Sequence, residues 1–96
     1  MIKSFNCKKT KRFFETRKPN SFKELGTVSR VALRKLAIVN YANVIADLRI
    51  PPGNRLEALS GDRKGQFSIR INDQYRVCFK FDEGHAFDVE IVDYLR

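Results

Sequence analysis

Apolar and polar positions along the chain fall into two regimes. In MIKSF, residues 1–5, apolar Ile2 meets polar Lys3 before Phe5, which predicts a short first strand. KKTKRFFETRK, residues 8–18, sets Phe13 and Phe14 among charges and good helix formers, and predicts a basic helix ending before Pro19. Ser21 stands three places before Glu24, the spacing of a capping box, so a turn or short helix is expected there, stopped by Gly26. VSRVALRKLAIV, residues 28–39, is the clearest helix: Val28, Val31, Ala32, Leu36 and Val39 form one stripe, with Arg30 and Arg34 on another face. NVIADLRI, residues 43–50, predicts one more helical segment, ended by Pro51, Pro52 and Gly53.

Beyond that break the period changes to two. RLEALSG, residues 55–61, brings Leu56 and Leu59 to a turn at Gly61-Asp62. GQFSIRI, residues 65–71, puts Phe67, Ile69 and Ile71 on one side and Gln66, Ser68 and Arg70 on the other. Asn72-Asp73 is turn chemistry. YRVCFKF, residues 75–81, alternates Tyr75, Val77, Phe79 and Phe81 against Arg76, Cys78 and Lys80. Glu83-Gly84 makes the next tight turn, and AFDVEIVDY, residues 86–94, is the last strand. The order predicts an α+β fold in one domain, residues 1–96: a short N-terminal strand, then two or three helices packed on one face of an antiparallel sheet of three or four strands. The other face is expected to be open, carrying Ser68, Arg70, Arg76, Cys78 and Lys80.

Charge sharpens this picture. The formal net charge is +8. Residues 1–64 hold 15 Lys and Arg against 5 Asp and Glu, whereas residues 65–96 hold 4 against 6. Such a basic front half suits a polyanionic partner. Composition alone does not separate DNA, RNA, the ribosome or an acidic protein. The 2 cysteines, Cys7 and Cys78, are far apart, and the 1 histidine, His85, completes no zinc spacing. No metal or cofactor is therefore expected. With no leader or membrane-spanning run in view, the expectation is a soluble, cytoplasmic protein with reduced thiols and no membrane partner.

The candidate chemistry sits near the strands. Arg70 and Arg76 lie on adjacent strands about a tight turn, where two guanidinium forks could converge on a phosphate. Spacing leaves open that they are solvated strand residues paired with acids. Glu57, just after the proline break, could accept a proton from a ribose hydroxyl, since a glutamate is a weak base but ionised at neutral pH. An exposed strand charge is the plainer reading. Asp62 is expected to serve its turn. Tyr94, following Asp93, could orient a phosphate or stack on a base, and near several arginines it is expected to ionise more readily than an ordinary tyrosine. His85 reads as a surface residue beside a turn. Cys78 reads as a packing thiol, for lack of a histidine partner.

The run PPGNRLEALSGDRKGQFSIRINDQYRVCFKF, together with DVEIVDYLR at the end, resembles the HigB toxins of the RelE/ParE superfamily; the first half agrees only in layout. The resemblance implies a type II toxin–antitoxin toxin that cleaves mRNA on the translating ribosome and inhibits translation. It implies metal-independent attack of a ribose 2′-OH on the adjacent phosphate, and no cofactor. It also implies a HigA-like helix-turn-helix antitoxin, and operator DNA reached through the toxin–antitoxin complex. Arg76 matches the arginine that contacts the scissile phosphate, and Asp93 and Tyr94 match the terminal acid and tyrosine of the site. Glu57 joins them as candidate base. Arg70, Asn72, Arg63, Lys64 and Arg55 are expected to bind RNA. Departures stand beside the match. Leu95 replaces the histidine that ends many relatives, Glu57 stands where some carry His, and Ser60 where some carry Lys. A non-nuclease, ParE-like toxin that binds gyrase is the alternative, and a DNA-binding corepressor role with the antitoxin is a further one.

Overall fold

The computed structural model describes residues 1–94. The expectation about Leu95 lies outside the described residues.

Two α-helices form where the periodicity is helical: α1 over Lys8–Thr16 and α2 over Ser29–Tyr41. α1 buries Thr10, Phe13 and Phe14. It stops at Arg17, whose left-handed backbone (φ 57°) lets its N–H return to the Phe13 carbonyl, a helix end of the αL kind. The guanidinium of Arg17 then lies 3.9 Å over the Phe14 ring. α2 buries Ser29, Ala32, Leu36 and Val39 and leaves Arg30 and Arg34 exposed, as its stripe predicts. The capping box does not form. Residues Pro19–Ser21 and Lys23–Val28 are 3₁₀ turns, and the chain reverses at Gly26 (φ 52°, ψ −124°). Ser21 Oγ donates instead to the Lys18 carbonyl at 2.8 Å, and Glu24 is drawn to Lys9 at 2.6 Å. The expected helical segment after α2 is a 3₁₀ turn, Ile45–Arg49, which buries Leu48.

The sheet is antiparallel in the order β1-β2-β3-β4, with β1 Glu57–Ala58, β2 Phe67–Arg70, β3 Tyr75–Asp82 and β4 His85–Asp93. Its turns follow their residues. Glu83 and Gly84 both take positive φ (48° and 81°), the geometry of a two-residue hairpin whose twist matches its strands. At the β2–β3 turn, Asn72 Oδ1 accepts from Gln74 N at 2.9 Å and Tyr75 N at 2.7 Å. The N-terminal strand is reduced to two parallel bridges onto β4, Ile2 with Ala86 and Phe5 with Val89. The ladder cannot run on between them: Asp88 stands at φ 53° and gives its N–H to Ser4 Oγ at 2.9 Å.

Phe13, Phe22, Leu36, Val39 and Leu48 from the helical half pack against Ile69, Ile71, Val77, Phe79, Val89 and Ile91 from the sheet. Every one of those sheet residues has the same parity within its strand, so one face carries the core. The second face departs from expectation, because Ser68 and Cys78 on it are fully buried. Arg76 lies against Ser68 and Tyr94 against Cys78, with the Arg63 charge close to the thiol. His85 is corrected too. It opens β4 half-buried, with its Nδ1 buried and without a hydrogen-bond partner.

Candidate active site

Strand register decides which side chains meet. Arg70 lies directly opposite Arg76, and Ser68 directly opposite Cys78. Cys78 is in turn opposite Glu90, and Ser68 opposite Glu57. Glu57, Ser68, Cys78 and Glu90 therefore form one row across all four strands, on the face that also bears both arginines.

Arg76 is the centre of this face. Its side chain is only 11% exposed. Its Nε donates to Ser68 Oγ at 2.8 Å, and its NH2 to the Arg55 carbonyl at 2.6 Å. Glu57 Oε1 lies 3.7 Å from that NH2 and remains 58% exposed. The backbone carbonyl of Arg55 is available because Arg55 takes a left-handed conformation (φ 47°) just after Asn54. Asn54 is fully buried. It accepts from Lys35 Nζ at 2.6 Å and donates to the carbonyls of Leu48 and Ile50 at 3.2 and 3.3 Å. The PPGN break thus anchors the loop whose carbonyl holds Arg76.

Tyr94 comes from the end of β4. Its backbone N–H donates to the Gln74 carbonyl at 2.7 Å. The Arg76 guanidinium lies 5.9 Å over its ring, within cation–π reach. Its hydroxyl lies 3.7 Å from Cys78 Sγ, where either atom can donate. The expectation that arginines make it easier to ionise fails. Burial pushes the Tyr94 phenol above its ordinary value, the contact with Cys78 adds to this, and the charges of Arg63 and Arg76 offset only part. Tyr94 is therefore a protonated phenol at neutral pH. Burial likewise pushes the Cys78 thiol up, against the pull of Tyr94 and the arginines.

The other sequence candidates divide. Arg63 NH1 donates to Glu90 Oε1 at 3.0 Å and to Gln66 Oε1 at 3.1 Å, so its fork is held at the rim of the row. Arg70 is on the right face but pairs with Asp73 at the hairpin. Asn72 spends its carboxamide oxygen on the turn. Lys64 and the Arg55 side chain are exposed beyond the rim. Asp93 parts from Tyr94. It pairs in register with the core-face residue Tyr75 and accepts from Gln74 Nε2 at 3.0 Å, so strand alternation turns it to the other side of the sheet. β4 thus carries Tyr94 to the arginine face and Asp93 to the other.

Sequence reasoning passed over Ser68, Glu90 and the Arg55 carbonyl as functional groups. Parity with Arg70, Arg76 and Tyr94 was the available signal for the first two. A backbone carbonyl has none. Among the described residues no group of three or more His, Cys, Asp or Glu could hold a metal ion, and no helix is long and apolar enough to cross a membrane.

A four-stranded antiparallel sheet with helices on one face and arginines on the other is a RelE-like α+β architecture. Its whole length superposes on a chain of the YoeB-YefM complex from Staphylococcus aureus, with a TM-score of 0.55, 13% identity and coverage of 100% and 99% of the two chains. That likeness speaks for the fold. The model of the RelE-like toxin of type II toxin-antitoxin system HigB matches residues 3–95, and the chain belongs to this family. Toxin HigB-1 of Vibrio cholerae serotype O1 is 48% identical over 60 residues, which cover 62% of this chain and 63% of that one. An uncharacterized protein of Haemophilus influenzae is 39% identical over 57 residues, 59% of this chain and 56% of its own length. The matched segment thus spans less than two thirds of either relative.

Proposed function

We propose that the chain is a toxin that cuts mRNA on the translating ribosome, through attack of a ribose 2′-OH on the adjacent phosphate. One observation carries this reading: a largely buried guanidinium, Arg76, is held between an exposed carboxylate, Glu57, and a protonated phenol, Tyr94. A cation fixed in advance stabilises charge developing on a phosphorane without reorganising during the reaction. Glu57 takes the proton of the 2′-OH as its oxygen bonds to phosphorus. The bond to the 5′ oxygen breaks, and the Tyr94 hydroxyl supplies the proton that the departing alkoxide needs. The products are a 2′,3′-cyclic phosphate and a 5′-hydroxyl. Arg63 and Arg70 flank the site and contact neighbouring phosphates, with Lys64, Arg55 and Asn72 farther out. Asp93 acts from behind, through Gln74, on the strand end that carries Tyr94. A helix-turn-helix antitoxin is the proposed neutralising partner, and operator DNA is reached through that complex.

Primer extension on mRNA from a translating extract tests the reading. Wild-type protein is expected to add cuts within the translated frame, and Arg76→Ala to lose them by about 100-fold or more. Cuts of equal strength from both proteins would remove the role of Arg76. Their absence with wild type would remove the activity.

A further inference from the structure

The row across the sheet has a chemical order. Each of its members touches a group of the face above it. Glu57 faces Arg76, Ser68 accepts from Arg76 Nε, Cys78 meets the Tyr94 hydroxyl, and Glu90 accepts from Arg63. The two central members are fully buried, and the two outer ones are not. Burying a serine hydroxyl and a thiol side by side under two arginines gains little as packing, because a polar group that leaves water needs a partner. Here each has one, and the partners are the two side chains that the proposed chemistry needs.

We propose that Ser68 and Cys78 are positioning residues: neighbours in the sheet floor, they hold Arg76 and Tyr94 at a fixed distance from one another. The proposal rests on the functional reading above for its purpose, though not for its geometry. Arg76 has three rotatable bonds before Nε. Its bond to Ser68 at 2.8 Å fixes the orientation of the guanidinium plane, which the Arg55 carbonyl then completes from the other end. Tyr94 is 44% exposed, so packing alone does not orient its ring. The sulfur beneath it sets the height of the hydroxyl. A sulfur contact of 3.7 Å is longer than a hydroxyl pair would take. Cysteine at 78 therefore seats the ring farther from the sheet than serine would.

Two spectroscopic readouts test this without the ribosome. In protein labelled at the tyrosine Cζ carbons, Tyr94 is expected to titrate closer to an ordinary tyrosine in Cys78→Ala than in wild type. In ¹⁵N-labelled protein, the Nε–H signal of Arg76 is expected to be slow to exchange, to become fast in Ser68→Ala, and to be restored in Ser68→Thr, which keeps the hydroxyl. Identical Tyr94 titration in wild type and Cys78→Ala would overturn the part assigned to Cys78. An unchanged Arg76 signal in Ser68→Ala would overturn that assigned to Ser68. Cleavage gives the third readout: Cys78→Ala and Tyr94→Phe are expected to lower the rate by similar factors, and the double variant by no more than either alone. Additive losses would mean that Cys78 acts on something other than Tyr94. Couplings seen by spectroscopy with a wild-type protein that cuts nothing would retain the positioning and remove its catalytic purpose.

Discussion

Tyr94 carries a residue-scale consequence that the charge of the protein hides. Two arginines nearby suggest an easily formed phenolate, yet burial and the Cys78 contact win. The sign of the linkage follows. A folded-state value raised above the unfolded one, near 10, contributes no loss of stability below that pH. Stability is lost as pH rises above about 10 and on through the folded value. Absorbance at 295 nm is therefore expected to show Tyr94 ionising above the ordinary tyrosine range, identified by difference against Tyr94→Phe. Cleavage is expected to show no phenolate-driven rise between about pH 7 and 9. A rise there that disappears in Tyr94→Phe would place the phenolate, not the phenol, in the reaction. Glu57 makes a second residue-scale case. Glu57→Gln keeps the size of the side chain and removes the base, and its cleavage is expected to fall by about 100-fold or more, read by the same primer extension.

At the scale of elements, the site depends on how the helical half and the sheet are joined. Thr10 on α1 is fully buried, and its Oγ1 accepts from the Ile91 N–H of β4 at 3.2 Å. That N–H points away from β3, so the sheet itself offers it no acceptor. Thr10→Val keeps the volume and strands the donor, with an expected loss of about 1–3 kcal/mol in unfolding free energy, read from urea unfolding curves. Gly84 closes the β3–β4 hairpin at φ 81°, and a Cβ there would meet the Asn43 carbonyl oxygen at 3.1 Å. Gly84→Ala thus suffers twice, from backbone strain and from crowding, and an expected cost of about 1–3 kcal/mol is measured in the same way. Neither residue touches the arginine face. Both variants are expected to retain cleavage at temperatures where they remain folded.

For the whole molecule, the excess positive charge is concentrated outside the candidate site. Lys8, Lys9, Lys11 and Arg12 are exposed on α1, and Arg30 and Arg34 on α2. Charge spread in this way strengthens binding to a polyanion through counterion release, with little dependence on sequence. Ribosome co-sedimentation is expected to weaken steeply between low and moderate salt. Reversing Lys11 and Arg12 to Glu is expected to lower both affinity and salt slope, while the positions of the cuts stay where they are. Unchanged affinity would remove the part assigned to α1 in binding.

Much of this was legible in the chain before folding. Alternation in residues 65–71 and 75–81, and in 89–94 beyond the register shift at Asp88, determined the side of the sheet that each residue takes. Asn72-Asp73 and Glu83-Gly84 determined where the chain turns: the Asn72 carboxamide oxygen accepts from the backbone two and three residues on, and Gly84 takes a positive φ without a Cβ. The motif run pointed to the family that the comparison then matched. Periodicity specifies side, however, and not depth. Only the folded chain decided that Ser68 and Cys78 are buried on the second face and that the Arg55 carbonyl reaches Arg76. It also decided that Tyr94 keeps its proton beside two cations. Each of these depends on groups distant in sequence meeting in a low-dielectric place, where desolvation and hydrogen bonding outweigh the charges that composition counts.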